Sequence, residues 1–345
     1  MSLDGILVVD KPQGITSLDV VREIKRRFPV KKAGHIGTLD PFATGVLPLV
    51  INEATKLVPF LQEDPKHYEA MLKLGEETDT DDLTGQTIRI APWESLDPER
   101  IQSTIESFIG TIRQIPPMFS AIKVNGRPLY QLARKGIEVR REEREVKIFS
   151  LQIEAIKLPI VHLNLSCSKG TYIRALARDI GRELGCGAHL ISLRRIRSGP
   201  FTIEEAIPLR KVKTLWDQDD LRRGLIPLRE ALFNLPEMVG DDRLIRKVRY
   251  GQEMVAGDLD LQTLPPFEAK QWVKMSSPED GLVAILQPTM RKGEVANVDP
   301  ERVVFRPVRV FHHKKDIQQG ESIFHSKEAF HGIGSGKEKR DHRSV

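Results

Sequence analysis

Two stretches far apart in the chain alternate apolar and polar side chains with a period of two. In Tyr68–Leu74, the residues Tyr68, Ala70, Leu72 and Leu74 fall on one face, with Glu69, Met71 and Lys73 on the other. In Val161–Cys167, the inward row is Val161, Leu163, Leu165 and Cys167. Successive side chains of a strand point to opposite faces, so each stretch predicts a strand with one buried side. Cys167 then sits in the core as a small hydrophobe, and Tyr68 opens an inward row. A tyrosine there is more often a core aromatic with a satisfied hydroxyl than a reacting group.

Helical periodicity supplies the other elements. Thr16 with Asp19 three residues on forms a capping box, followed by the stripe Val20, Val21, Ile24 and Phe28. Asp97-Pro98 pairs an N-cap with proline at the first helical position, ahead of Ile101, Ile105 and Phe108, with Gly110 as the stop. A third helix follows Ser168-Lys169-Gly170, with Ile173, Leu176, Ala177, Ile180 and Leu184 on its apolar face and Gly185 closing it. Arg174 lies in the first turn of that helix, off the stripe. A cation there opposes the helix dipole, so the position calls for a carboxylate partner. Ile6–Val9 and Leu49–Ile51 are short apolar runs that suit buried strands, and Leu209–Leu235 is helical with a break at Pro227.

Beyond Pro236 come short runs at turn spacing, Trp272–Met275, Gly281–Leu286 and Val303–Phe311, which predict a small all-β module. The chain is long for one domain at 345 residues, and a boundary near 236 divides it. Residues 312–345 hold five of the nine histidines without metal-ligand spacing and are expected to be a polar, disordered tail. The acid-rich loop Gly75–Gly85 lacks the ligand order of a calcium loop and is expected to be simply polar.

No run approaches a membrane span. Met1–Asp10 carries no basic residue, which argues against a secretory or transit leader. Cys167 and Cys186 make no metal spacing or redox pair, so a reduced, cytoplasmic compartment is expected. The net charge of +5 hints at an anionic partner, and its distribution matters more than its size. Lys123–Lys147 carries eight basic residues against four acidic ones. That segment is either a solvated charged surface or a lobe lying along a phosphate backbone.

Ala33–Pro48, AGHIGTLDPFATGVLP, has one carboxylate, Asp40, bracketed by Gly34, Gly37 and Gly45 and followed by Pro41. Glycines allow backbone angles and close approaches that a side chain forbids. A residue before proline is pushed out of the helical region. From these residues alone, Asp40 is a turn acid bonding its own backbone or a working carboxylate on a shaped loop.

Taken in order, several of these stretches resemble the TruB family of tRNA pseudouridine synthases. They are Gly5–Ser17 (GILVVDKPQGITS), the Asp40 loop, Lys66–Ala70 (KHYEA) and Gly75–Gly85 (GEETDTDDLTG). Pro116–Gly136 (PPMFSAIKVNGRPLYQLARKG), Ser168–Gly181 (SKGTYIRALARDIG) and His189–Arg195 (HLISLRR) follow. The resemblance implies an α+β pseudouridine synthase fold, with a mixed, largely antiparallel sheet flanked by helices, over 1–235. Within it the 123–147 segment is an RNA-clamping lobe. It further implies a PUA-like β-barrel module over 236–311.

By that resemblance, Asp40 is the catalytic aspartate, Tyr68 the tyrosine and Arg174 the arginine of the site. Lys11 and Pro12 buttress it, His35 contacts the flipped nucleotide, Tyr172 is a second tyrosine and Leu193 packs near the base. The implied reaction isomerises uridine at position 55, in the T arm of tRNA, to pseudouridine. The base is flipped out, and the bond from ribose C1′ moves from N1 to C5. No redox change or group transfer is involved, so no cofactor and no metal are expected. The glycines would let the nucleotide approach the Asp40 backbone. The resemblance also implies a monomer acting without a protein partner, a C-terminal module on the acceptor end, and help with tRNA folding.

Three rival readings fit the sequence less well. A non-catalytic RNA-folding protein would not need Asp40, Tyr68 and Arg174 together. A guide-RNA-dependent relative fits the 123–147 lobe less well. A glycosidase acting on free nucleosides does not explain the basic lobe.

Overall fold

The computed structural model describes residues 3–312, apart from 62–64, 125, 215–217 and 280. The expected tail therefore lies outside the described residues beyond His312. The described chain forms two compact units, Leu3–Leu232 and one beginning at Phe233.

The first unit is built on a ten-stranded sheet. Its strands run in the order Ile207–Pro208, Gly5–Lys11, Thr44–Ile51, Ala188–Ser198, Lys66–Leu74, Ile160–Cys167, Arg144–Lys157 and Gly110–Gln114. Ala33–His35 and Phe201–Thr202 pair alongside this path. Two joins are parallel, Gly5–Lys11 with Ile207–Pro208 and Thr44–Gly45 with Arg194–Arg195. The other pairings are antiparallel, so the sheet is mixed and largely antiparallel, as expected.

The two alternating stretches are neighbours. Tyr68 stands opposite Leu165, Ala70 opposite Leu163, and Leu72 opposite Val161. All six side chains are buried, so the inward rows of the two strands form one continuous apolar face. Such cross-strand pairs are the unit of sheet stability, at roughly 0.2–1 kcal/mol each. The helix Ile173–Glu183 contributes Ile173, Leu176, Ala177 and Ile180 to the same core, and Gly185 follows it at φ +86°. The helix Ser17–Arg27 begins at the expected Thr16–Asp19 capping box.

Three expectations need adjusting. The helix Pro98–Glu106 is capped by Ser107, and Gly110, at φ +110°, opens the next strand instead of stopping the helix. In the basic segment, a hairpin (Lys123–Val124 with Arg127–Pro128) leads into the short helix Leu129–Ala133. Arg144–Lys147 already belong to the sheet, paired with Gly110–Gln114, so the exposed excursion ends before them.

The third adjustment concerns the second unit, which has a five-stranded sheet in the order Glu237–Val239, Val273–Ser277, Gly281–Pro288, Val303–Val310, Met254–Val255. It also contains the helix Asp242–Arg249, so it is not all-β. The Asp241 side chain caps that helix at the Leu244 amide, and Leu244, Ile245 and Val248 bury against the sheet. The unit has its own core, where the rings of Phe267 and Phe305 lie 4.9 Å apart. Among the described residues, no helix is long and apolar enough to cross a membrane.

Candidate active site

Asp40 sits in the loop between the strands Ala33–His35 and Thr44–Ile51. Its carbonyl accepts from the Ala43 amide, closing a turn with Pro41 at the second position, where proline's fixed φ is favoured. The backbone is thus the turn that the local sequence suggests, while the side chain goes elsewhere.

Arg174 meets that side chain. Its Nε donates to Oδ2 at 2.9 Å and its Nη2 to Oδ1 at 3.1 Å, a two-point grip on the carboxylate. Two further donors of the guanidinium go to the carbonyls of Thr80 (2.9 Å) and Phe119 (2.8 Å). Its side chain is 3% exposed, whereas that of Asp40 is 33% exposed. The cation is therefore internal and fixed, and the acid keeps an open face.

A second carboxylate, Asp82, stands 3.6 Å from the Arg174 Nε. It belongs to the acid-rich loop expected to be merely polar. That loop pairs in steps with arginines one helical turn apart. Arg174 meets Asp82, Arg178 meets Asp81 at 3.0 Å, and Arg182 meets Glu77 at 3.1 Å. Burial pushes the Asp81 carboxyl upward, against the pull of Arg178. Asp82, Asp81 and Glu77 are thus engaged with cations of the chain itself. Among the described residues, no group of three or more His, Cys, Asp or Glu is placed to hold a metal ion.

The Asp40 loop is fastened on both sides. The Ser17 hydroxyl donates to the Leu39 carbonyl at 3.0 Å and accepts from the Leu39 amide at 2.9 Å. The fully buried Lys11 donates from Nζ to the carbonyls of Pro12 (2.9 Å), Ile15 (2.9 Å) and Pro41 (3.3 Å). Burial lowers its pKa to about 8; the charge of Asp40 opposes that shift and the charge of Arg195 adds to it. Pro12 is itself exposed and contributes its carbonyl.

Tyr68 is 7% exposed and points to the buried face, as its alternation requires. Burial pushes its phenol pKa up, Arg195 opposes this, and the charge of Asp40 reinforces it. Tyr172 is the N-cap residue of the helix that carries Arg174. Its backbone exchanges two hydrogen bonds with the Gln114 side chain, at 2.8 and 3.0 Å. Burial raises its phenol pKa, with Ser120 opposing. Leu193 is buried opposite Ala70, two residues along the strand from Tyr68. His35 is half-buried, and its Nδ1 is enclosed without a hydrogen-bond partner among the described residues. Burial and then the charge of Arg195 lower its pKa.

The structure thus brings Asp40 and Arg174 into direct contact, ties Lys11 to their loop, and places both tyrosines within range of the Asp40 charge. Sequence reasoning missed Asp82, Gln114 and Arg195. Arg195 carried a signal: it lies two residues from Leu193 on one strand, which puts both on one face. Two of the glycines also admit a neighbour from the chain itself. A Cβ on Gly45 would lie 2.1 Å from the Arg195 carbonyl oxygen, and one on Gly37 would lie 3.3 Å from the Arg195 Nη1. The close approach is made by the chain's own strand.

A carboxylate gripped at both oxygens by a buried arginine, open on its other side and set on a mixed sheet, is a site built for an enzyme's acid–base or nucleophilic chemistry. Comparisons with known proteins give the family. "TruB family pseudouridylate synthase (N terminal domain)" matches residues 25–173, and "tRNA pseudouridylate synthase B C-terminal domain" matches 174–233. A tRNA pseudouridine synthase B of Geobacter sulfurreducens is 48% identical over 75% of this chain and 85% of its own length. One of Syntrophus aciditrophicus is 42% identical over 90% of this chain and 99% of its own. Among solved structures, that of a Cbf5-Nop10-Gar1 complex superposes with a TM-score of 0.67 at 28% identity, covering 91% of this chain and 86% of that one. The chain belongs to the TruB family of tRNA pseudouridine synthases, enzymes that isomerise uridine within RNA.

Proposed function

We propose that this enzyme converts uridine to pseudouridine at position 55, in the T arm of tRNA, with Asp40 as the reacting carboxylate. The observation that carries this is the two-point grip of a buried Arg174 on an Asp40 that keeps an open face. Both oxygens accept from the guanidinium, so the pair is built around the charged form of the acid, which suits a nucleophile or base. A uridine must leave its stack to reach the site, at a cost of a few kcal/mol. Looped RNA lowers that cost, which favours a stem-loop such as the T arm.

Tyr68 stacks on the flipped base with its hydroxyl protonated, the form that burial favours. Leu193 and the apolar face around it exclude water, which would otherwise compete for a broken glycosidic bond. Tyr172 lines the Arg174 side of the site, Lys11 and Pro12 brace the Asp40 loop, and His35 faces the nucleotide. The exposed basic excursion between Lys123 and Arg141 lies along the RNA backbone. The unit beginning at Phe233 is PUA-like and binds the acceptor end. The protein acts in the cytoplasm as a monomer, and binding of this kind also suits help with tRNA folding. Support for a stand-alone enzyme over a guide-dependent one comes from the relatives. The relatives named tRNA pseudouridine synthase B share 39–54% of aligned residues with this chain, and the solved Cbf5 complex shares 28%.

The test uses a T-arm stem-loop tritiated at uridine C5, incubated with excess enzyme and no cofactor. Tritium release is expected. Its absence, with release from other RNA loops, would overturn the T-arm assignment.

A further inference from the structure

Arg195 is the largest fully buried side chain of the described structure. It makes no ion pair among the described residues, and enclosing an unpaired cation is costly. Its place in the sheet is specific. On the strand Ala188–Ser198 it stands opposite Tyr68 on one side and Gly45 on the other.

Two of its donors reach the backbone at either end of the Asp40 segment. Nε donates to the Val46 carbonyl and Nη2 to the Gly37 carbonyl, both at 2.8 Å. The third nitrogen, Nη1, is enclosed with no partner at ordinary hydrogen-bond geometry among the described residues, while the guanidinium acts on the Tyr68 hydroxyl both through its charge and as a hydrogen-bonding neighbour. Gly37, at φ +72°, lies close against Nη1: a Cβ there would be 3.3 Å from it and 3.4 Å from the Lys66 Nζ. The guanidinium is close enough to the Tyr68 hydroxyl, the His35 ring and the Lys11 ammonium for its charge to act on all three. This buried cation without a carboxylate partner is thus joined to both sides of the segment that carries Asp40 and stands opposite the tyrosine on the neighbouring strand.

We propose that Arg195 is a positioning residue of the catalytic centre. It clamps the Asp40 loop at Gly37 and Val46, and its free Nη1–H orients the Tyr68 hydroxyl toward the base. The inference rests on the reading of Asp40 and Tyr68 as the groups that meet the uridine. A lysine in place of Arg195 keeps the charge but cannot reach two carbonyls and a hydroxyl together, because it lacks the planar fork.

The experiment compares Arg195→Lys, Arg195→Gln, Tyr68→Phe and Arg195→Lys/Tyr68→Phe, each confirmed as folded by circular dichroism and thermal melting. Single-turnover tritium release from the T-arm stem-loop is measured across pH, and RNA affinity by filter binding. Arg195→Lys is expected to slow turnover about 100-fold, the scale of a small misplacement of reacting groups. RNA affinity is expected to stay within about twofold, the margin expected of independent sites. In the Tyr68→Phe background the same change should cost less, by the share that acts through the hydroxyl, while the share due to the loop clamp remains. The pH profile should shift with Arg195→Lys and not with a merely destabilising change.

If Arg195→Gln fails to fold, the lysine series decides alone. Turnover by Arg195→Lys within about twofold of the parent, or losses that multiply in the double variant, would overturn the proposal. Asp40→Asn run alongside separates the two readings. If it is inactive while Arg195→Lys is fully active, only the present inference falls. If it is active, the assignment of the reacting acid falls as well.

Discussion

Arg174 holds both oxygens of Asp40, at 2.9 and 3.1 Å, across 134 residues of chain. The same guanidinium has Asp82 at 3.6 Å as a second carboxylate. Asp40→Asn should therefore leave Arg174 with a charge partner. We expect that variant to fold and bind RNA while losing turnover. Asp40→Asn/Asp82→Asn leaves a buried cation unpaired and should lose about 3–5 kcal/mol of stability. Urea melts of the two variants check this. Equal stability would show that Asp82 does not share the load.

Gly45 is the tightest point of the site. A Cβ there would fall 2.1 Å from the Arg195 carbonyl oxygen, and its φ of +103° disfavours any L side chain. Gly45→Ala should part the strands at Thr44–Gly45 and Arg194–Arg195 and destabilise by at least about 3 kcal/mol. Gly34→Ala is the control. Its Cβ would meet the Val50 Cγ2 at an ordinary 3.5 Å, so it should stay within about 0.5 kcal/mol of the parent. Thermal melts separate the two, and a Gly45→Ala protein as stable as the parent would contradict the geometry.

How far the sequence carried differs from residue to residue, and for physical reasons. Tyr68 was legible because a strand's alternation is local: its neighbours fix the face it occupies. Arg174 was legible because its place at a helix start is locally unfavourable and demands a distant partner. Asp40 was not, since its backbone does form a turn and only the tertiary fold shows where the side chain goes. The pairing of Arg174, Arg178 and Arg182 with Asp82, Asp81 and Glu77 was half visible, as spacing on a helix. Which acid meets which arginine depends on where the 75–85 loop packs. Arg195 lay on the same strand face as Leu193, but its charge argued for the surface, and no local rule shows a buried cation fastened to carbonyls. The helix Asp242–Arg249 was passed over because it is short and sits among strand-like runs, although Asp241 stands where a cap is needed.

The unit beginning at Phe233 has its own core, so a chain ending at Leu232 should fold. If the second unit docks a separate part of the RNA, its loss removes an effective-concentration gain. Binding of whole tRNA should weaken about tenfold or more, while conversion of an isolated T-arm stem-loop stays close to that of the full chain. Equal losses on both substrates would argue against a separate docking role. For the full chain, affinity should fall with added salt as phosphate contacts are screened, and a flat response would contradict the basic excursion's role.

Lys11 makes a pH prediction whose sign is fixed by its burial. Its pKa is lowered to about 8 in the folded protein, chiefly by loss of solvent. In the unfolded chain a lysine titrates near ~10.4. Between those values the unfolded state binds more protons than the folded one, so this group's contribution to stability rises with pH. Below the window both states are charged and the contribution is flat; above it both are neutral and it is flat again. Lys11→Met has no such group, although it also loses the hydrogen bonds to Pro12, Ile15 and Pro41. The stability gap between parent and variant should therefore widen by up to about 3 kcal/mol from pH 8 to pH 10.4. Urea unfolding at several pH values measures the gap. A gap that stays constant or narrows over that range would mean that the Lys11 amine is not held below its ordinary pKa.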